Sequence, residues 1–496
     1  MKKRLMLPLV AAISTVMVGC GGGGGDSGGS SGPAPIVYQW QVVDLYSIER
    51  SKVSSGCAIF ANDDSVDGNV IAARVADRNF RILFHDENGQ VITEKTIDNI
   101  PTNGLVSIKK DDIPYKGYVA LEELSGLVSG QRESYIFGVQ KDLMHSMTIA
   151  VRNEQPSGNA CYRGGLALEE NANDDAVIAV SPDSSGATKF QTSASGAKVL
   201  EGSTLIDLPV VSGFPALERK IVTGFNPTGS KLNSLTHYAI IESADVYDKQ
   251  TPPTSKPIRE MTSSDVVQYP FTNTNITLNE ASKVKVVLDN DVYGWQPINS
   301  DTNDFSYVAS EKRLSNWAAE VYGKTTSDWN YVGLLPLSAS PATIVAPTVT
   351  DFTGTSISNC DSGYCVTSPS YSVNDFAIQR TAIRSKTDQN KNFYQSIYGP
   401  VTASQVVLES PTEQVSPTTA SDTIEIGLVA VDESNVSFAY SAQYLMKNSI
   451  DMQDHVSNGS AAYSDFNGRV VLEADSLTED INMMKSELTF LTNRNN

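Results

Sequence analysis

Few residues of this chain have both the type and the spacing to do chemistry. In NDDSVDGNV, Asp63, Ser65 and Asp67 alternate and Gly68 follows. Oxygen donors at alternate positions ahead of a glycine form the front half of a calcium-binding loop. A complete loop of that kind needs a bidentate glutamate at its twelfth position, and counting from Asp63 that position holds Arg74. What survives is a looser calcium site between strands, built on Asp63, Ser65 and Asp67, with a plain polar turn as the alternative. LDNDVYG, with Asp289 and Asp291, is a weaker version of the same pattern. No other cofactor is required.

Nucleophiles and bases are no better organised. The four histidines, His85, His145, His237 and His455, are scattered, with no His-Glu-x-x-His or His-x-His pattern. They read as surface or sheet histidines. No Gly-x-Ser-x-Gly elbow is present. Ser195-Gly-Ala-Lys198 and Ser372-Val-Asn374 match two of the three elements of penicillin-recognising enzymes. The third element fails, because SKTD places Asp388 where a glycine is needed. Glycoside chemistry would use a pair of carboxylates, but 57 acidic residues nominate no pair. Trp40, Trp295, Trp317 and Trp329, with 20 tyrosines, offer faces for stacking sugars, and core packing is their first reading.

The elements that must position these residues read as strands. FRILFHDENGQVITEKTI predicts a hairpin with Phe80 to Phe84 on one side, a turn at Asp86-Glu87-Asn88-Gly89 and Val91 to Ile97 on the other. NIPTNGLVSI repeats the turn cue at Asn103-Gly104, and TIEIGLVAVDESNVSFAYSAQYLM predicts another hairpin, turning at Asp432 to Asn435. The expected fold class is mainly β, with two to three antiparallel β-sandwich or barrel-like domains and a few helices. DFSYVASEKRLSNWAAEVYG puts Leu314, Trp317, Ala318 and Val321 on one helical face, predicting a helix near 305–322 that stops at Gly323. SVNDFAIQRTAIRSKTDQNKNFYQSIYG reads as partly helical. Ser476 with Glu479 makes a capping box, and Leu477, Ile481, Met484, Leu488 and Leu491 follow at helical spacing. A C-terminal amphipathic helix packed on the body is expected there. A subunit seam would need three or four heptads, and only two are present. Lys249 to Pro257, Pro341 to Val349 and Glu409 to Asp422 read as joints, and no fixed-period repeat is seen.

Five cysteines divide into Cys20 near the start and four in the body. Cys360 and Cys365 are close enough to close a short loop, which leaves Cys57 to pair with Cys161. Zinc ligation is the competing reading, but no histidine lies near either pair in sequence. Two disulfides fit an exported protein.

Lys2, Lys3 and Arg4 lead into an apolar run, Leu5 to Val18, too short to span a bilayer comfortably. Met17-Val18-Gly19-Cys20 resembles the lipobox of bacterial lipoproteins, with Met17 where that family usually has leucine. The resemblance implies cleavage after Gly19, lipidation of Cys20 and, because Gly21 rather than aspartate follows, residence in the outer membrane. Gly21 to Pro35 is Gly/Ser-rich and reads as a flexible tether with an r.m.s. reach of roughly 20–23 Å.

The chain has 37 Lys and Arg against 57 Asp and Glu, a net charge of −20 that falls to about −23 without Lys2, Lys3 and Arg4. That charge argues against nucleic acid and against an anionic membrane face as partners. The hairpin HDENGQVITEKTI and the following IPTNGLVSI resemble immunoglobulin-like or transthyretin-like modules of bacterial surface proteins. The organisation expected is a signal peptide over 1–19, lipidated cysteine and tether over 20–35, an immunoglobulin-like domain over 36–175, and β-rich domains over 176–345 and 346–496. That plan resembles surface lipoproteins of marine gammaproteobacteria, among them the flagellar sheath lipoproteins. It implies a non-enzymatic outer-membrane protein with a structural or adhesive role. Its partners would be the membrane, through the anchor, and a protein or glycan at the cell surface. The alternative is a surface carbohydrate-binding protein or polysaccharide-processing enzyme.

Overall fold

The structure is a computed structural model. It describes residues 35–62, 66–124, 127–128, 131–132, 134–151, 155–164, 176–184, 186–194, 200–202, 208–209, 219–227, 232–248, 258–300, 302, 304–338, 341–350, 352–368, 371, 375–418, 422–431, 470–471 and 481–495. The protein is mainly β. Among the described residues the α-helical part is one short turn, Ile481–Met483, beside five three-residue 3₁₀ turns.

Two sheets organise the molecule. A six-stranded sheet has Val37–Glu49 near its centre. Asn69–Val75 and Leu105–Lys109 lie along one edge of that strand, and Met147–Val151 runs parallel to it along the other. A twelve-stranded sheet runs in the order Asp291–Pro297, Lys283–Leu288, Leu314–Thr325, Asn330–Pro336, Leu488–Arg494, Thr423–Val431, Ile378–Lys386, Asn392–Gly399, Ser134–Gln140, Tyr118–Glu123, Phe80–His85, with Ile276–Leu278 added beside Leu314–Thr325.

The larger sheet is buried on both faces. Successive strand residues point to opposite sides. Ile82 and Phe84 join the core shared with Trp40, Val42, Val106 and Ile149 of the smaller sheet. Leu83, between them, joins the opposite core with Ile136, Ile397 and Leu408. The same split separates Val119 and Leu121 from Ala120, and Phe490 from Leu491.

Two of the three predicted turns fall on described residues, and both are present. Asp86 to Gly89 turns the chain, with Asp86 Oδ1 accepting from the Asn88 and Gln90 amides, both at 2.9 Å. The returning arm touches the first strand only at the bridges His85–Val91 and Ile82–Ile97 around a 3₁₀ turn at Thr93–Lys95. Asn103-Gly104 turns into Leu105–Lys109. The expected turn at Asp432 to Asn435 lies outside the described residues.

The helix predictions are corrected. Residues 305–322 are strands, Asp304–Val308 and Leu314–Thr325. The segment read as partly helical is the strand pair Ile378–Lys386 and Asn392–Gly399. Of the expected C-terminal helix, Ser476, Leu477 and Glu479 lie outside the described residues; among the described residues Ile481–Met483 are helical and Leu488–Arg494, where that helix would continue, is a strand. The mainly β class expected from the sequence holds, and within it some strands pair in parallel. Among the described residues four parallel pairings occur: Val37–Glu49 with Met147–Val151, Asn392–Gly399 with Ser134–Gln140, Val180–Pro182 with Arg259–Met261, and Val266–Thr274 with Ala342–Val345.

The twelve-stranded sheet takes strands from each of the segments 36–175, 176–345 and 346–496. Ser134–Gln140 pairs with Asn392–Gly399, and Leu488–Arg494 lies between Asn330–Pro336 and Thr423–Val431. Backbone hydrogen bonds therefore cross both expected domain boundaries.

Candidate functional site

Cys20 lies outside the described residues, as do Asp63 and Ser65 of the calcium candidate. Asp67 sits in the exposed turn that precedes Asn69–Val75, where the Asn69 amide donates to the Val66 carbonyl at 3.0 Å. Arg74 is committed elsewhere: its Nε donates to Asp44 Oδ2 at 2.7 Å and its guanidinium lies 4.8 Å over the Tyr46 ring. Asp289 belongs to the turn of the hairpin Lys283–Leu288/Asp291–Pro297 and pairs with Arg219. Among the described residues no three His, Cys, Asp or Glu side chains are arranged to hold a metal ion. Ser195 to Lys198, Ser372 to Asn374 and His455 lie outside the described residues.

The cysteines pair as their spacing predicts. Cys57 and Cys161 sulfurs are 2.06 Å apart, and Cys360 and Cys365 sulfurs 2.01 Å apart. The first bridge ties the segment before Ile59–Asn62 to residues that bridge onto Arg74, at the edge of the smaller sheet. The second closes the tip of the hairpin Ser356–Asn359/Tyr364–Thr367.

The fold also assembles a polar cluster that no sequence spacing announces. Glu122, on Tyr118–Glu123, accepts from the Ser410 hydroxyl through one carboxylate oxygen and from Arg81 Nε at 2.6 Å through the other. Arg81 Nη2 donates to Thr412 Oγ1 at 3.2 Å, and Lys391 Nζ pairs with Glu413 Oε1 at 2.7 Å. The 409–416 segment carrying Ser410 and Glu413 is thereby laid across the end of the larger sheet. The His85 ring nitrogen Nε2 lies 2.8 Å from the Glu409 carbonyl, and the Glu409 amide donates to the Gly89 carbonyl at 2.8 Å. This start of the expected joint over Glu409 to Asp422 is a strap rather than a linker. Burial raises the Glu122 carboxyl above the usual range, against the opposing pull of Ser410 and Arg81. A raised carboxyl is what general acid catalysis uses. Here, however, both oxygens are taken by protein donors and the residue is almost fully enclosed.

A second cluster gathers Asp183, Ser184, Thr236, His237 and Ser263. His237 Nε2 lies 3.3 Å from both Ser184 Oγ and Asp183 Oδ1, while Nδ1 faces Thr236 Oγ1 at 2.8 Å. A nucleophile triad divides the ring, with the hydroxyl on one nitrogen and the carboxylate on the other. Here both crowd one nitrogen, so the arrangement links strands and lacks the geometry of a charge-assisted nucleophile. Donation by the Ser263 hydroxyl and amide holds the Asp183 carboxyl below the usual range.

A third group is fully internal. Arg380 pairs with Glu425 and donates to Ser396 Oγ at 3.2 Å. Burial opposes the Arg380 charge, but Glu425 outweighs it and keeps the guanidinium protonated.

All four tryptophans are core residues, each exposed by 4% or less. Trp295 meets Trp317 edge-on at 4.9 Å, and Trp329 meets Phe352 at 5.5 Å. None presents a face to a sugar. No protein-family model matches the chain, and no curated protein matches it either.

Proposed function

We propose that the chain is a lipid-anchored outer-membrane lipoprotein whose body is displayed at the cell surface in a structural or adhesive role, as in the coat of a flagellar sheath. The observation that carries this reading is the seating of Val37–Glu49. It is the strand that the Gly/Ser-rich segment feeds. It is hydrogen-bonded along both edges, antiparallel to two strands on one side and parallel to Met147–Val151 on the other. Tension arriving from Cys20 along that strand would load these ladders together, in shear, instead of opening them one bond at a time. A load-bearing attachment suits a displayed coat or adhesin. The lipobox-like Met17-Val18-Gly19-Cys20 supplies the other end of the attachment.

Two measurements test the reading. Cys20→Ala should release the protein from outer-membrane fractions, and continued sedimentation with them would sink the anchor. Immunogold labelling of intact cells, with antibody against the region after Pro35, should mark the surface. Label along the flagellum supports a sheath component, and label over the cell body a general adhesin. Label seen only after permeabilisation rules out display.

A further inference from the structure

We infer that the end of the body where the N-terminal segment arrives is a membrane-contact face, seated on the headgroups of the phospholipid bilayer that holds the Cys20 acyl chains. The inference rests on the lipid-anchor reading of Cys20. Three large apolar side chains are exposed on the two segments that meet at this end: Ile36 at 52%, Val37 at 38% and Tyr115 at 77%. Val37 pairs with Lys109, and the Lys110 amide donates to the Ile36 carbonyl at 2.9 Å. From Lys110 the chain makes a 3₁₀ turn to Asp112, buries Ile113, and turns again through Pro114 to Gly117 with Tyr115 and Lys116 at the tip. Lys116 Nζ lies 5.6 Å from the centre of the Tyr115 ring.

Two further lysines brace the same turn. Lys95 Nζ donates to the Asp112 carbonyl at 2.6 Å, and Lys141 Nζ to the Ile113 carbonyl at 2.5 Å. The segment 109–116 thus carries Lys109, Lys110 and Lys116, and Lys95 and Lys141 brace it, with Glu94, Asp111, Asp112 and Asp142 on the same stretches of chain. The local balance is five lysines to four acids, whereas the chain as a whole, with 57 acids to 37 bases, would repel an anionic membrane face. Tyrosine beside lysine is the pairing that suits a bilayer interface. The ring spans the apolar boundary, and the lysine stem lies along it while the ammonium reaches phosphate. Buried Ile113 fixes the turn to the core, so the tip is presented rigidly.

The anchor makes so small a face sufficient. A Gly/Ser-rich stretch as long as residues 21–35 has a random-coil reach of roughly 20–23 Å r.m.s., which would set how far Ile36 can stand from a lipidated Cys20. A face tethered at that distance meets the headgroups at a local concentration on the order of millimolar. Contacts too weak to recruit a free protein are then enough to orient a tethered one.

The test uses the full-length lipidated protein in vesicles of phosphatidylethanolamine with phosphatidylglycerol, read by flotation and by amide hydrogen exchange. The wild type should float, and amides of Ile36–Tyr38 and Lys110–Ile113 should exchange several-fold more slowly than in the Tyr115→Glu/Lys116→Glu double variant on the same vesicles. The double variant should float equally and melt at the same temperature, since both side chains are exposed. Flotation with equal exchange in the two proteins overturns the contact face and leaves the anchor standing. Failure of the wild type to float overturns the anchor and the face with it.

Discussion

At the scale of single residues, His85 makes the sharpest statement. Its ring is buried and Nε2 faces the Glu409 carbonyl, so Nε2 carries the proton and donates. Burial lowers its pKa from 6.5 to about 4. A base whose folded pKa is depressed contributes stability that is complete above its unfolded pKa and is lost as pH falls toward the folded one. Between about pH 6.5 and pH 4 the wild type should therefore lose up to about 3 kcal/mol from this residue. His85→Gln keeps a donor for Glu409 and cannot titrate, so its chemical-denaturation stability should fall less over that window. Parallel curves for the two proteins would refute the assignment. Glu122 acts with the opposite sign. Its raised folded pKa gives stability that is full below its unfolded pKa and is lost as pH rises through the folded one. Glu122→Gln should therefore gain on the wild type as pH rises above about 4.5, and a pH-independent difference would contradict the burial argument. Neither role is legible in the sequence. Glu122 meets Ser410 across 288 positions and His85 meets Glu409 across 324, and only strand register brings them together. The cysteines were legible because they are few and chemically exclusive, and because Cys360 and Cys365 are close in sequence.

At the scale of elements, local turn chemistry was readable and periodicity was not. Gly104 has φ +65°, and a Cβ there would stand 2.7 Å from the carbonyl oxygens of both Ala76 and Val42. Gly56 has φ +80° but nothing within 4 Å. Gly56→Ala should cost only the left-handed strain, roughly 1–2 kcal/mol. Gly104→Ala should cost clearly more in a urea titration, because the obstructing atoms are backbone. Equal losses would show that the surrounding strands give way freely. The helical misreadings have a physical cause. Leu314 and Trp317 share a helical face in sequence, but the strand carrying them is irregular at Asn316, with φ +47° and a register shift opposite Lys285 and Val287. Leu488 and Leu491 fall on opposite faces of their strand, into different cores. A strand buried on both sides carries no alternation to read, so apolar spacing there mimics a helix. The disulfides also differ by element. Cys57–Cys161 spans 104 positions and Cys360–Cys365 spans 5. On the chain-entropy relation, replacing the first pair with alanine should cost about 4–5 kcal/mol and the second about 2 kcal/mol. A larger loss from the short loop would mean that the hairpin it closes depends on the bridge for its own folding.

At the scale of the whole molecule, the strand Leu488–Arg494 closes the structure. It lies between Asn330–Pro336 and Thr423–Val431, so one half of the twelve-stranded sheet is joined to the other through it. Phe490 enters one core and Leu491 the other. Any chain lacking this strand keeps two unpaired edges where the sheet should be continuous, and exposed edges of that kind invite pairing with other chains. The N-terminal strands are held in the same way by a late partner, since Ser134–Gln140 pairs with Asn392–Gly399. Completion of the sheet therefore waits for Leu488–Arg494, and contacts across such separations make folding slow. Removing residues 488–495 should replace cooperative thermal unfolding with two weaker transitions, or with aggregation, while a truncation-matched substitution such as Thr492→Ser should leave one transition near the wild-type temperature. A truncated protein that still melts once, at the wild-type temperature, would show that the two halves of the sheet are held together by their shared cores rather than by this strand.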